Sequence, residues 1–386
     1  MISEETNKYQ IIDTLIRQGR SFAIYRIPGE DSPRFVMQAS GSACLLYDIE
    51  DLNEQQGFVI APFRVSRDCP IVLIRRDYSE LPAFGDTPST DQSILLRPTG
   101  RCTVDRPVDT PSTDRSMHRR EKDSRLTDDC RKGSYSHCFD TFIRPLQEKR
   151  LDKLVLSRSL TLDRVTGFSP AKAFYKACEQ YIRSYVYLCH TPQTGTWLGG
   201  TPEIILSGEK GEWHTVALAG TQPLQNGELP TYWDEKNKRE QQLVSTYIHD
   251  QLASLGIDST MEGPYSARAG ALCHLKSDFR FKLDSNSKLG SLLSLLHPTP
   301  AVCGLPKEDA YRFILEHEGY DRRYYSGFIG WLNPEGRTNL YVNLRCMNIK
   351  EDTFTLYAGG GLLSSSMLND EWQETEDKLQ TMRALL

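Results

Sequence analysis

Apolar residues along this chain recur at helical spacing in some stretches and at strand spacing in others. Ile11, Ile12, Leu15 and Ile16, preceded by Ser3-Glu4-Glu5, predict a capped first helix. Phe22–Ile27, Arg34–Gln38, Gly57–Phe63 and Ile71–Ile74 are β-branched and aromatic runs separated by Gly, Pro, Asp and Asn, the pattern of an antiparallel meander. Beyond Tyr135 an amphipathic helix carrying Phe139, Phe142, Ile143 and Leu146 leads to a strand at Lys153–Arg158, where Leu154, Leu156 and Leu160 alternate with Lys153, Val155 and Ser157. A helix opens at Ser169-Pro170. Strand-like runs follow at Tyr185–Cys189, Trp197–Leu206, His214–Thr221 and Leu340–Cys346. Strands and helices arrive in blocks, without strict βαβ alternation, so the expected class is α+β with antiparallel sheet.

Two helices place charge on their apolar side. Glu240 lies three, four and seven residues before Leu243, Val244 and Tyr247, on the face those residues share. Near the C-terminus Glu371, Glu374 and Lys378 share a face that continues through Met382 and Leu385. Glu374 and Lys378 suit a surface i, i+4 pair, and acids suit a first helical turn, so one reading is a solvated face. Together the two helices also suit a clamp of carboxylates on a hard cation such as Mg²⁺; Glu240 as a cap is the bland alternative. Gly359-Gly360-Gly361, just upstream, admit positive φ and close approach, so their N–H groups can converge on an anion. Arg345 interrupts an otherwise apolar-to-neutral strand and requires an anionic partner, either a structural ion pair or a ligand carboxylate. His274 and His297, each taken alone, read as structural.

Composition changes between Leu81 and Gly133. Thr87-Pro-Ser-Thr-Asp91 recurs as Thr110-Pro-Ser-Thr-Asp114 among Pro, Ser, Thr and charges, with few large apolar residues, so residues 85–133 read as a flexible low-complexity insertion. Its basic run (Arg115, His118, Arg119, Arg120, Lys122, Arg125) is broken by acids and lacks interleaved aromatics, which argues against nucleic acid. The net charge of −5 gives no reason to expect a polyanion partner. No apolar run approaches the roughly 20 residues of a membrane span. Ten scattered cysteines without C-x-x-C, and a polar start, suit a cytoplasmic protein with reduced thiols. Neither G-x-G-x-x-G after a strand nor a P-loop occurs.

In order along the chain stand Lys153-Leu-Val-Leu-Ser-Arg158, Gly200-Thr-Pro-Glu203, Ala219-Gly-Thr221, Lys236-x-x-x-Glu240, His297-Pro-Thr-Pro-Ala301, Tyr325-Ser-Gly327, Leu344-Arg345, Ala358-Gly-Gly-Gly361 and Glu371-Trp-x-Glu-Thr-x-x-Lys378. This series resembles the chorismate-utilising enzymes: isochorismate synthases, salicylate synthases, and the large subunits of anthranilate and aminodeoxychorismate synthases. The resemblance covers roughly Tyr135 to Leu386. It implies the fold of anthranilate synthase component I and aminodeoxychorismate synthase, two large antiparallel β-sheets packed face to face with helices outside. Residues 1–84 would be an N-terminal β-rich part of that fold, 85–133 the insertion, and 134–386 the chorismate-binding catalytic part.

The resemblance also implies roles. Lys153 matches the lysine that activates water for attack at C2, which requires its amine to give up a proton near neutral pH. Glu203 matches the acid that protonates the departing C4 hydroxyl and must be held partly protonated, by burial or a nearby carboxylate. Glu240 and Glu374 would hold Mg²⁺ directly, with Glu371 acting through water. Arg345, Lys378 and the backbone of Gly220, Thr221, Gly359 and Gly361 would hold the two substrate carboxylates, with His274, Tyr325, Ala301 and Leu344 lining the pocket. Asn237 stands where relatives often have an acid. Lys153 favours water over ammonia as nucleophile, and Ala219 occupies the place of the covalent lysine of aminodeoxychorismate synthases. Ala301 is similar to isochorismate synthases, whereas Leu344 and Tyr325 are shared with salicylate synthases. The expected activity is isochorismate synthase, for menaquinone or siderophore synthesis, with salicylate synthase as the alternative. The chain is expected to work without an obligatory glutamine amidotransferase, as a monomer or weak dimer.

Overall fold

The computed structural model of the chain describes residues 4–39, 42–81, 128–269 and 272–386. Among these residues the strands build two large sheets. The first has eight strands in the spatial order β13 (Gly304–Leu305), β6 (Lys153–Asp163), β17 (Thr353–Leu362), β16 (Cys346–Ile349), β8 (Gly195–Thr201), β7 (Tyr185–Thr191), β1 (Phe22–Arg26) and β2 (Arg34–Met37). The second has nine: β11 (Ser259–Ala269), β12 (Leu272–Lys282), β10 (Glu212–Pro223), β9 (Ile204–Glu209), β15 (Thr338–Val342), β14 (Phe328–Leu332), β4 (Gly57–Ala61), β5 (Ile71–Ile74) and β3 (Cys44–Leu46). Neighbouring strands pair antiparallel throughout, as expected.

The continuous apolar runs follow from burial on both faces. β1, β4, β5, β14 and β15 are buried along their whole length. Tyr25, Tyr185, Tyr187, Trp197 and Tyr357 of the first sheet pack against Phe58, Ile60, Ile329, Trp331 and Tyr341 of the second, with Tyr185 stacked on Tyr341 at 4.3 Å between ring centres. The other face of the first sheet is covered by α1 (Glu4–Arg17), α3 (Pro170–Gln180) and α7 (Leu368–Arg383). That of the second is covered by α4 (Glu235–Ser254) and α5 (Leu289–Leu296). α2 (Asp128–Gln147) and α6 (Lys307–His317) close the end beside β6. Ser169 caps α3 as expected, accepting from Lys172 N.

Two runs that read as single strands are each divided between the sheets. Trp197–Leu206 separates into β8 and β9 at Pro202-Glu203, and Leu340–Cys346 separates into β15 and β16 at Asn343-Leu344-Arg345. β8 pairs with β16 in the first sheet, and β9 with β15 in the second. Two neighbouring strands therefore pass side by side from sheet to sheet. Thr201 Oγ1 donates to Val342 O at 2.7 Å and Val342 N donates to Glu203 O at 2.8 Å, tying the crossings together. Asn343 braces them: its Oδ1 accepts from Tyr187 OH at 2.6 Å and its Nδ2 donates to Tyr324 O at 2.8 Å. Arg345, expected within a strand, instead has left-handed backbone (φ 45°) at the crossing.

The N-terminal strands enter both sheets, β1 beside β7 and β4 beside β14. The insertion expected at 85–133 lies outside the described residues as far as 127; from Asp128 the chain is helix α2. Among the described residues no helix is long and apolar enough to cross a membrane, and Cys44, Cys69, Cys138, Cys178, Cys189, Cys273, Cys303 and Cys346 are reduced thiols.

Candidate active site

A cavity opens along the seam where the strands cross. Glu203, Leu344 and Arg345 of the two crossings line it, facing Gly220 and Thr221 of β10 and His274 of β12. Its remaining walls include Glu240 of α4, Ala301, Tyr325, Gly359 and Gly361 of β17, and Lys378 of α7. All the residues expected to contact substrate are thus brought together. Lys153, Glu371 and Glu374 stand behind this lining. Val155, Pro202, Leu218, Val302 and Tyr357 also face the cavity, though none was expected to contact substrate. His297 does not reach it; buried, it lies against Phe328, with Nε2 3.3 Å from Phe63 O.

Arg345 is buried, and its partners are neutral. Nη1 donates to Ala269 O at 2.8 Å and Nη2 contacts His274 Nε2. A guanidinium can only donate, so Nε2 of His274 is the acceptor and Nδ1, 3.1 Å from Gly220 O, carries the proton. Burial first, then Arg345 and Lys378, push the imidazole well below its ordinary value, which keeps it neutral. Burial also lowers Arg345, to about 10. Among the described residues no carboxylate lies within ion-pair distance of Arg345. Of the two readings open from sequence, the structural ion pair is absent and an anionic ligand fits.

The three glycines work differently from the expectation. β17 runs straight through Gly359, Gly360 and Gly361, paired with Ser157, Leu156 and Val155 of β6, and none has positive φ. Space is what they provide. A methyl group at 359 would stand 2.9 Å from the Tyr325 hydroxyl oxygen, one at 360 would be 3.2 Å from Glu371 Oε2 and 3.3 Å from Glu374 Oε1, and one at 361 would be 2.0 Å from Glu240 Oε1. The strand can therefore lie directly against three carboxylates. Thr221 also departs from the expectation: its N–H donates to Asn237 Oδ1 at 2.9 Å and is already occupied. Gly220, with φ 74°, is the bulge where β10 shifts register against β12.

Each carboxylate holds a lysine. Glu240 Oε1 is 2.8 Å from Lys153 Nζ, outside hydrogen-bond alignment. Glu371 Oε1 accepts from Lys236 at 2.7 Å, and Glu374 Oε1 from Lys378 at 2.6 Å. Lys378 also donates to Gly359 O at 2.9 Å. Among the described residues no three acidic, His or Cys side chains converge as a ready ligand set. The oxygen-only donors nevertheless fit a hard cation. Among the described residues Glu371 Oε2 is buried without a hydrogen-bond partner, and burial followed by the neighbouring Glu374 raises this carboxyl to about 7. A cation beside the glycine strand would satisfy that oxygen and relieve the crowding of charge.

Glu203 is buried at the first crossing. Burial pushes its carboxyl up to about 7, against the opposing hydrogen bond from Thr299 and the cations Lys153, Lys378 and Arg345. A carboxyl half-protonated at neutral pH can donate a proton and take it back.

Several supporting residues had no role assigned from the sequence. Lys236, whose value is raised by Glu371, Glu240 and Glu374 once they overcome its burial, stands in the motif but lacked an assigned role. Asn237 is held by the N-cap Asp234 and spends its oxygen on Thr221. Gln241 accepts from Ala219 N at 2.9 Å, fixing β10 one residue before its bulge.

A sequence profile described as "Chorismate binding enzyme" matches residues 103–386. The isochorismate synthase EntC of Escherichia coli (strain K12) is 30% identical over 241 residues, covering 60% of this chain and 62% of the relative, so the match spans about three fifths of that protein's length. Among solved structures, the menaquinone-specific isochorismate synthase MenF of Escherichia coli superposes with a TM-score of 0.69 at 21% identity, covering 97% of this chain and 91% of that one. Anthranilate synthase component I of Streptococcus pneumoniae superposes with a TM-score of 0.56 at 22% identity, covering 65% of this chain and 57% of that one. At these identities the two structures establish the fold.

Proposed function

The chain belongs to the chorismate binding enzyme family, and on that premise we propose that it interconverts chorismate and isochorismate. The observation that carries the reading is the pairing, on one cavity, of a buried guanidinium lacking a carboxylate partner among the described residues with a buried carboxyl poised at about 7. The first fits a substrate carboxylate and the second a departing hydroxyl. Chorismate carries two carboxylates; Arg345 and Lys378 bind them, and His274 keeps Arg345 aimed at the cavity.

Lys153 takes a proton from the water that attacks C2 of the ring. Glu203 gives a proton to the C4 hydroxyl, which leaves as water while both ring double bonds shift by one position. One water enters and one departs, so the net change is an isomerisation, and the reverse reaction exchanges the two roles. Glu240 and Glu374 would hold Mg²⁺, with Glu371 acting through water, and the ion's charge would neutralise the ring carboxylate. Ala219 offers no amine for a covalent intermediate. The enzyme acts in the cytoplasm as a monomer or weak dimer, without a glutamine amidotransferase, and feeds menaquinone or siderophore synthesis.

The test is product analysis of purified protein with Mg²⁺ and chorismate. Isochorismate is expected. Pyruvate and salicylate in its place would make the protein a salicylate synthase, product only with ammonium an amine-adding relative, and no conversion would overturn the reading.

A further inference from the structure

We propose that Thr299 is a positioning residue for Glu203: its hydroxyl claims Oε1 and so directs the transferable proton to Oε2, the oxygen left to the cavity. The inference rests on Glu203 being the acid and deepens that reading. Thr299 Oγ1 donates to Glu203 Oε1 at 3.2 Å, the sole hydrogen bond to this carboxyl among the described residues. Oε2 has no such partner and is not among the buried atoms lacking one, as expected of a group that lines the cavity.

Both sides of the contact are held firmly. Thr299 is buried between Pro298 and Pro300, and its carbonyl accepts from Val302 N and Cys303 N, each at 3.0 Å. Glu203 is fixed at the strand crossing through Val342 N. A carboxyl oxygen that already accepts an O–H is the poorer place for the group's own proton, so the acid form carries its hydrogen on the other oxygen. Without Thr299 the carboxyl could turn, and the proton would be divided between two directions.

The charged groups facing Glu203 are Lys153 from β6, Lys378 from α7 and Arg345 from the crossing, with Glu240 of α4 on the same cavity. None is altered by a change at Thr299. Removing the hydroxyl therefore withdraws one donor that favours the carboxylate, and the midpoint of Glu203 should rise.

Thr299→Val keeps the shape and removes the hydroxyl; Thr299→Ser keeps the hydroxyl. Two readouts are needed: the pH profile of isochorismate formation, and infrared titration of the protonated Glu203 carboxyl without substrate, identified by its loss in Glu203→Gln. In Thr299→Val the infrared midpoint and the alkaline limb should both move up by about one pH unit. The kcat should fall roughly tenfold at unchanged KM, as for a misdirected general acid. Thr299→Ser should restore all of these. An unmoved midpoint in Thr299→Val, or a folded Thr299→Ser that behaves like it, would overturn the proposal. If Thr299→Val fails to fold, Thr299→Ala is the second hydroxyl-free variant. Should the protein form no isochorismate, the proposed function fails while the infrared titration still decides the Thr299–Glu203 contact.

Discussion

Glu203 and Arg345 are shifted by one cause acting on opposite charges. Burial disfavours the charged form of each, raising the acid to about 7 and lowering the guanidinium to about 10. For Glu203 the folded value lies above the unfolded one. Its contribution to stability is complete below about 4.5 and is lost as pH rises through about 7. In the proposed reaction forward turnover needs Glu203 protonated, so kcat for isochorismate formation should fall as pH rises through about 7. A forward profile with no alkaline limb near that pH would contradict the assignment. Arg345→Lys keeps the charge but loses the planar fork, and should raise KM for chorismate roughly 10- to 100-fold in steady-state assays. At this scale the sequence was most legible where a charge interrupts apolar residues, as at Glu240 and Arg345. Thr299, Lys236 and Asn237 lie in a loop and a first helical turn, where polar residues are ordinary and carry no contrast.

Among the elements, β17 shows how a correct motif can have a different physical reason. Its glycines look like a turn that exposes N–H groups, yet they are a paired strand whose missing side chains admit Tyr325 and three carboxylates. The clearances rank their substitutions. Gly361→Ala would drive a methyl group to 2.0 Å from Glu240 Oε1, whereas Gly360→Ala would meet oxygens at 3.2 and 3.3 Å. Neither residue has a backbone that disfavours alanine, so both variants should fold. Titration with Mn²⁺, followed by electron paramagnetic resonance, should show a much larger loss of metal affinity for Gly361→Ala; equal losses would remove Glu240 from the cation site. The crossings were hidden for a related reason. Glu203, Asn343 and Arg345 at the passages are as buried as strand residues, and apolar residues continue on both sides of them, so Trp197–Leu206 and Leu340–Cys346 read as unbroken runs. Pro202 and Asn343 were the available signals, since a proline cannot donate to a central ladder.

Across the whole molecule, the N-terminal strands are part of the layer that joins the sheets, though the family resemblance began only near Tyr135. Tyr25, Phe58, Ile60, Val72 and Ile74 supply much of the apolar surface between the sheets. A chain of residues 134–386 alone would leave their partners bare and strip β7 and β14 of neighbours. It should fail to give a cooperative thermal transition, and calorimetry of that fragment beside the full chain would check this. The alternation of element types was enough to foresee antiparallel sheets; the strand order was not, because it depends on pairings between distant segments. The seam takes this furthest. Gly199 pairs with Cys346 and Leu206 with Leu340, so neither crossing can close until chain segments far apart in sequence have met. Topologies dominated by such distant contacts fold slowly. A refolding chain should regain secondary structure early and the ability to bind ligand last, because its pocket has no local version of itself.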